Sequence, residues 1–205
     1  MRLVGRGPFI WLTAPGTVVH ELGHALFCPI FGHSIQQIRL FQPGADGVLG
    51  FVKHAYNPRN PWAILGNFFI STGPIWLGGA VLIGILAVLG ADLSTLEPKA
   101  AGHFFLQLPW REPATWLLGY LFLCVGSQLG MSLPDIKGSM GGFALLLLLW
   151  TGAGFASLRF GLGMAEYLVV AEKYAVLFAT VLLPVFALNL AVAGLVGMFA
   201  KLLSR

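Results

Sequence analysis

Apolar runs of bilayer-spanning length constrain this chain more than any other feature. They extend from Pro8 to Phe31, Trp62 to Gly90, Ala114 to Leu133, Ser139 to Ser157 and Tyr174 to Ala200. Each is near the roughly 20 residues with which an α-helix crosses the ~30 Å hydrocarbon core of a bilayer. A soluble surface could not be built around them, because charged residues are only 10% of the chain and hydrophobic ones 57%, whereas a soluble domain carries roughly a quarter charged residues. Mean hydropathy is +0.82. The expected fold is an all-α polytopic membrane protein: one integral-membrane domain over 1–205 with about five transmembrane helices (8–31, 62–90, 114–133, 139–157 and 174–200).

Two stretches between the runs are polar. From Ala91 to Pro113 the chain carries Asp92, Glu97, Lys99, Arg111 and Glu112. Between the first two runs, polar and apolar residues alternate around PGADG, a strong turn signal, which predicts a β-hairpin of Gln37 to Phe41 and Val48 to His54 lying against or dipping into the bilayer. Its exposed strand edge could pair with an extended substrate segment. The plainer reading is a surface hairpin.

Several function classes fall away. The net charge of +4 fits contact with anionic headgroups, and no basic-aromatic cluster points to nucleic acid. Cys28 and Cys124 both lie in apolar runs, so neither a disulfide framework nor a cysteine metal site is indicated. Arg2 and Arg6 would suit a signal peptide, but no small-x-small cleavage site follows and Phe27 precedes Cys28, so the first segment is expected to stay. Lysines and arginines divide evenly between the two sides of a five-span chain, so orientation stays open.

The first run contains HELGH, residues 20 to 24. At about 100° per residue, His20 and His24 lie one turn apart on one helix face, with Glu21 on the adjoining face. Two imidazoles so spaced can grip one Zn²⁺ while the glutamate reaches a water and takes its proton as that water attacks a carbonyl. Chance produces the pattern about 0.003 times in a chain of this composition, a rough figure to set beside the motif's false positives. Packed histidines bonded to neighbouring carbonyls are the bland alternative. Ionisable groups inside a span cost several kcal/mol together, which favours a functional role.

A catalytic zinc has three protein ligands. Candidates for the third are His33, His54 and His103, with Asp46, Asp92, Glu97, Glu112, Asp135, Glu166 and Glu172. Most fall in polar loops, where a solvated charge is the simpler reading. Asp135 differs: it follows Pro134 between two apolar runs, where irregular backbone at membrane depth must line protein or a water-filled cavity. The competing reading is an interfacial turn with Asp135 and Lys137 facing water.

HELGH in a hydrophobic helix, with Asp135 two helices later after a helix-breaking proline, resembles the site-2 protease class of intramembrane zinc metalloproteases. The resemblance covers roughly residues 8–140 and implies a three-helix core enclosing zinc below the membrane surface, with His20, His24 and Asp135 as ligands and Glu21 as general base. No glycine directly follows Asp135, which reads LPDIKG, and no inserted peptide-binding domain is expected. The implied protein is a minimal core.

Asn67, a polar amide within the second run, is a candidate hydrogen-bond donor to substrate or to a developing oxyanion; bonding to another helix is the commoner use of such a residue. Ser127, Gln128 and Asn189 are weaker candidates of the same kind. Glycines 78, 79, 84, 152 and 154 read as close helix packing, and His54 with Tyr56 as interfacial anchoring. The expected function is zinc-dependent hydrolysis of a peptide bond in or near a transmembrane segment, with Zn²⁺ as cofactor. The expected partners are a membrane-protein or peptide substrate and the lipid bilayer, with homo-oligomerisation left open. The expected location is multi-pass, in a prokaryotic inner membrane. The alternatives are a non-catalytic zinc-binding scaffold or partner-binding module, and a transporter; paired broken helices and a second acidic span, which transport would call for, are missing from the sequence.

Overall fold

Prolines set where the helices start. In the computed structural model, which describes residues 10–43, 48–92 and 98–160 and, beyond these, residues 168, 169, 172, 173, 175, 176 and 179, α1 spans Ala14–Ile30, α2 Pro61–Val88, α3 Pro98–Gln107, α4 Pro113–Ser127 and α5 Leu133–Phe160. Each has a proline among its first two residues. A helix start has no use for the missing N–H, and the fixed φ of the ring suits the first turn. At α2 the Asn60 side chain also accepts the Trp62 N–H at 3.0 Å, satisfying one of the orphan donors there.

The end of α1 determines where the first strand begins. Gly32 has φ +72°; its N–H donates to the Pro29 carbonyl at 3.2 Å, and the His33 N–H donates to the Cys28 carbonyl at 2.8 Å. This is a Schellman closure, for which glycine is suited because it enters the left-handed region without a Cβ penalty. It delivers the chain straight into strand β1, Ser34–Arg39, which pairs antiparallel with β2, Phe51–Ala55. Ser34 stands opposite Ala55 and Arg39 opposite Phe51, with an irregularity between Ile35 and Gln37. The expected hairpin is present, but its first strand begins at Ser34 rather than Gln37, because the helix closure leaves no loop. Most of its turn, 44–47, lies outside the described residues.

Backbone contact joins the helices around the future site. Gly23 of α1 meets Gly73 and Pro74 of α2 so closely that a Cβ at either glycine would strike the other chain segment's backbone. Gly138 and Gly142, one turn apart on α5, pack on Ser71 and on Ile64 and Phe68 of α2 in the same way, a Cβ at Gly142 falling 2.7 Å from the Ile64 carbonyl oxygen. Small residues at such spacing let apolar helices approach closely. The α4 helix is tied to the start of α1 by Tyr120, whose hydroxyl donates to the Leu12 carbonyl at 2.6 Å. Leu82 and Leu86 of α2 with Val125 of α4 form a buried cluster, against which Phe104, Phe105 and Phe122 pack.

The described residues are mostly helical with one two-stranded antiparallel sheet, and two helices are long and apolar enough to cross a membrane: Pro61–Val88 and Leu133–Ser157. The expectation of five such helices is not supported. The α1 and α4 helices have 17 and 15 residues, about 26 and 23 Å at 1.5 Å per residue, short of the hydrocarbon thickness. The run expected at 174–200 lies outside the described residues apart from 175, 176 and 179. The break between the third and fourth runs falls at 128–132 instead of at Pro134 and Asp135, so α5 begins six residues before Ser139. The polar stretch 91–113 also contains α3, which composition did not signal. Gly78 packs on Leu129, whereas at Gly84, Gly152 and Gly154 a Cβ would meet nothing within 4 Å among the described residues.

Candidate metal centre

His20 and His24 come together as their spacing dictates: the two Nε2 atoms are 3.2 Å apart, with the rings at 78° and centroids 4.9 Å apart. What turns them this way is a pair of carbonyls. His24 Nδ1–H donates to the Ile70 carbonyl at 2.7 Å. That carbonyl would normally accept from the N–H four residues on, but the residue there is Pro74, which has none. His20 Nδ1–H donates to the Gln128 carbonyl at 2.7 Å, one of the carbonyls left over beyond the end of α4. A hydrogen bond missing inside one helix and the end of another thus each orient one imidazole.

The consequence for protons is direct. A carbonyl only accepts, so each neutral ring carries its proton on Nδ1 and a lone pair on Nε2. Two lone pairs then face each other at 3.2 Å, with no proton between the neutral rings to join them. Asp135 Oδ1 adds a third acceptor, 3.5 Å from His24 Nε2. Two nitrogens on one tetrahedral zinc, each about 2.05 Å from it, stand about 3.3 Å apart. The donor set therefore fits a small divalent cation. Among the described residues, His20, His24 and Asp135 form the group whose ligand atoms all lie within 4.8 Å of one another.

Asp135 reaches this place from an ordered helix start, not from the irregular backbone that the sequence led us to expect. Ser132 and Asp135 form a capping box: the Asp135 N–H donates to Ser132 Oγ at 3.3 Å, and the Ser132 N–H donates to Asp135 Oδ2 at 2.8 Å. The Ser132 hydroxyl donates to the same carboxylate oxygen. This reciprocal arrangement satisfies orphan donors of the first turn. It also divides the carboxylate's work: Oδ2 is held by Ser132, leaving Oδ1 towards His24. Packing of Gly138 against Ser71 brings that first turn to the α2 side of the site.

Glu21 is 7% exposed and lines the same cavity of about 720 Å³ as the three candidate ligands. Its Cγ would be 2.7 Å from any Cβ at Gly50, so glycine at that point of the hairpin leaves room for the carboxylate stem. Asn67 and Ser71 of α2 also line the cavity, as do residues 48–52 and His54 of the hairpin. Thr17 does so too; its hydroxyl is buried and has no hydrogen-bond partner among the described residues, the condition of a group that awaits a water or a ligand.

The remaining candidates disperse. His33 is 4% exposed and bonded to the Ala63 carbonyl and to His54, apart from the three candidate ligands. His103 pairs with Gln107 on its own helix at 3.0 Å. Ser127 donates to the Cys124 carbonyl at 2.8 Å within α4, so its hydroxyl is already engaged. Asp46, Glu97, Glu166 and Asn189 lie outside the described residues. Three contributors escaped the reading of the sequence: the Ile70 carbonyl, the Gln128 carbonyl and Ser132. The first is signalled by Pro74 four residues on, the third by the spacing Ser132-x-x-Asp135; the second depends on where a helix ends, which periodicity locates poorly.

Burial, followed by the charges of His33 and His24, holds the pKa of His54 below the usual histidine value. Compared with family models, with curated proteins and with solved structures, the chain matches none.

Proposed function

We propose that this chain is a multi-pass intramembrane zinc metalloprotease, hydrolysing a peptide bond in or beside a membrane-spanning segment of its substrate. The observation that carries the reading is the facing pair of Nε2 atoms 3.2 Å apart, with Asp135 Oδ1 beside them and the Glu21 carboxylate in the same cavity. A purely structural zinc site is closed and has no use for an unligated carboxylate at its edge.

His20, His24 and Asp135 hold the metal in this reading. Zinc bound there supplies a Lewis acid that lowers the pKa of a water and polarises a carbonyl. Glu21 takes a proton from the attacking water as the new C–O bond forms, then gives it to the amine nitrogen as the C–N bond breaks. In this reading the Asn67 amide, which lines the cavity, donates to the carbonyl oxygen as negative charge gathers on it. Among hairpin residues the cavity wall is formed by β2 and the residues leading into it, 48–52 and His54, and not by β1. A substrate segment would pair with the outer edge of β2, extended, so that its carbonyls are free of helical hydrogen bonds when they reach the metal.

A bilayer environment is supported by the outer helix. Only 6% of the most apolar window of α5 is buried, against 50% of that of α2. Leu147, Leu148, Leu149 and Trp150 are all exposed; consecutive on the helix, they girdle it with apolar surface suited to acyl chains. Five crossings, including the short helices α1 and α4 and the run at 174–200, complete the proposed topology; the shortfall in length is accommodated by local thinning of the bilayer.

The test is cleavage of a membrane-protein substrate in detergent or vesicles by wild type and by Glu21→Gln. The expected result is that the variant retains the metal and loses at least 10²-fold in rate, the scale of a missing general base. Equal cleavage by the two would remove Glu21 from the chemistry, and a metal-bound wild type inert towards every substrate would favour the scaffold reading.

A further inference from the structure

His54 lines this cavity and His33 bonds to His54 from behind, and neither has a part in the hydrolysis proposed above. His33, just beyond α1, donates from Nε2–H to the Ala63 carbonyl at 2.9 Å. Its neutral ring therefore keeps a lone pair on Nδ1, and that lone pair accepts the Nδ1–H of His54 at 2.9 Å. Tyr56 stacks on His33 with centroids 4.6 Å apart, fixing the ring from its face. Hydrogen bonds run in one direction along this chain, from His54 to His33 to Ala63. They leave His54 with a lone pair on Nε2, and His54 lines the cavity.

The strand places His54 relative to the metal. Gly50, just before β2, and Val52 and His54 within it stand at alternate positions of the chain and line the cavity together with residues 48, 49 and 51, with Gly50 against Glu21. Same-face residues succeed one another at about 6.6 Å along a strand. A segment added to the edge of β2 sets its side chains directly opposite those of β2, with Cβ atoms about 5 Å apart. With the reacting carbonyl near Glu21, the substrate residue opposite His54 lies about two to four residues from the cut.

We propose that His54, oriented by His33, is the specificity-determining group of a substrate subsite that accepts a hydrogen bond from a side chain bearing a hydroxyl or amide donor. This rests on the protease reading. His33 acts through His54 and is a positioning residue: it fixes which nitrogen of His54 is the acceptor. A neutral acceptor in a half-buried wall discriminates between threonine and its isostere valine, because only threonine satisfies the lone pair.

The experiment uses the full-length chain, zinc-loaded in detergent, with pairs of transmembrane substrates that differ only by threonine or valine at successive positions on either side of the cleaved bond. Competitive cleavage gives the ratio of kcat/KM. At one position within four residues of the cut, wild type is expected to favour threonine by roughly tenfold. His54→Leu should bring the ratio below about twofold, and His33→Phe should lower it as well. His33→Asn, whose Oδ1 replaces the lost acceptor, should restore it, and so should His54→Gln, which keeps an acceptor at the cavity. His54→Gln also provides the comparison if His54→Leu does not fold. A wild type that cleaves every pair equally, or a His54→Leu protein with the wild-type ratio, overturns the subsite and leaves the protease standing. A wild type that cleaves no peptide overturns the protease reading and the subsite with it.

Discussion

His24 and Pro74 are linked through a carbonyl that neither owns: Pro74 has no N–H to give to Ile70, and His24 Nδ1–H takes that acceptor at 2.7 Å. A helix defect worth about 3 kcal/mol in an ordinary helix interior is thereby turned into the support of one candidate metal ligand. Pro74→Ala should restore the backbone bond and loosen His24. The expected result is metal affinity lower by about 10–100-fold, the usual effect of losing such a partner, with no loss of thermal stability in metal-free protein. Competition with a chelator and thermal unfolding in detergent measure the two. Unchanged affinity would mean that the carbonyl does not orient the ring.

Ser132 and Asp135 give a second test of support as distinct from ligation. Ser132→Ala removes a helix cap, at a cost of about 0.5–2 kcal/mol, and releases Asp135 Oδ2 from its hydroxyl partner. Metal affinity should fall by roughly tenfold or more. Asp135→Asn removes the charge while retaining an acceptor for the Ser132 N–H, so it should lose more metal affinity and less stability than Ser132→Ala. The reverse order would make Asp135 a capping residue alone.

Glycine substitutions separate close approach from mere sequence. Gly73→Ala drives a methyl group into the backbone of α1 at Gly23 and should destabilise by about 1–3 kcal/mol or more, the range for overpacking. Gly84→Ala meets nothing within 4 Å among the described residues and should be neutral or stabilising by up to about 1 kcal/mol through helix propensity. Thermal unfolding of both variants in one detergent measures the contrast. Equal effects would place the α1–α2 crossing elsewhere.

How much of this was legible in the sequence depends on the range of the forces involved. HELGH fixed the relative placement of His20, Glu21 and His24, because helical spacing alone determines it. The alternation around PGADG yielded the hairpin for the same local reason. Asp135 was found by its setting, but the setting was misread: Pro134 begins a helix there, and Ser132 two residues earlier was the sign of it. The five-span expectation treated every apolar run as a span, whereas α1 and α4 stop at 17 and 15 residues, where glycine, proline and C-terminal closures intervene. The orientation of the imidazoles was beyond reach, since it depends on carbonyls 46 and 108 residues away in the chain.

His54 offers a pH-dependent observable outside the membrane-spanning helices. Its pKa is lowered by burial first, then by His33 and His24, so the folded protein protonates it less readily than the unfolded chain. Its contribution to stability is accordingly full above the unfolded value near 6.5 and is lost as pH falls from there towards the folded value. Nitrogen NMR of the histidine rings at pH 6.5 should find His54 mostly neutral, with the proton on Nδ1. A proton on Nε2 alone would reverse the hydrogen-bond direction assigned to His33 and His54, and a mostly charged ring would remove the acceptor from the cavity.

The most direct measurement is the metal itself. Purified in detergent and equilibrated with buffered zinc, the wild-type chain should hold about one zinc, with X-ray absorption showing two imidazole nitrogens and a carboxylate oxygen at about 2.0–2.2 Å, and His20→Ala or His24→Ala should hold none. A wild type that takes up no stoichiometric metal, or a His24→Ala protein that retains it, would contradict the site.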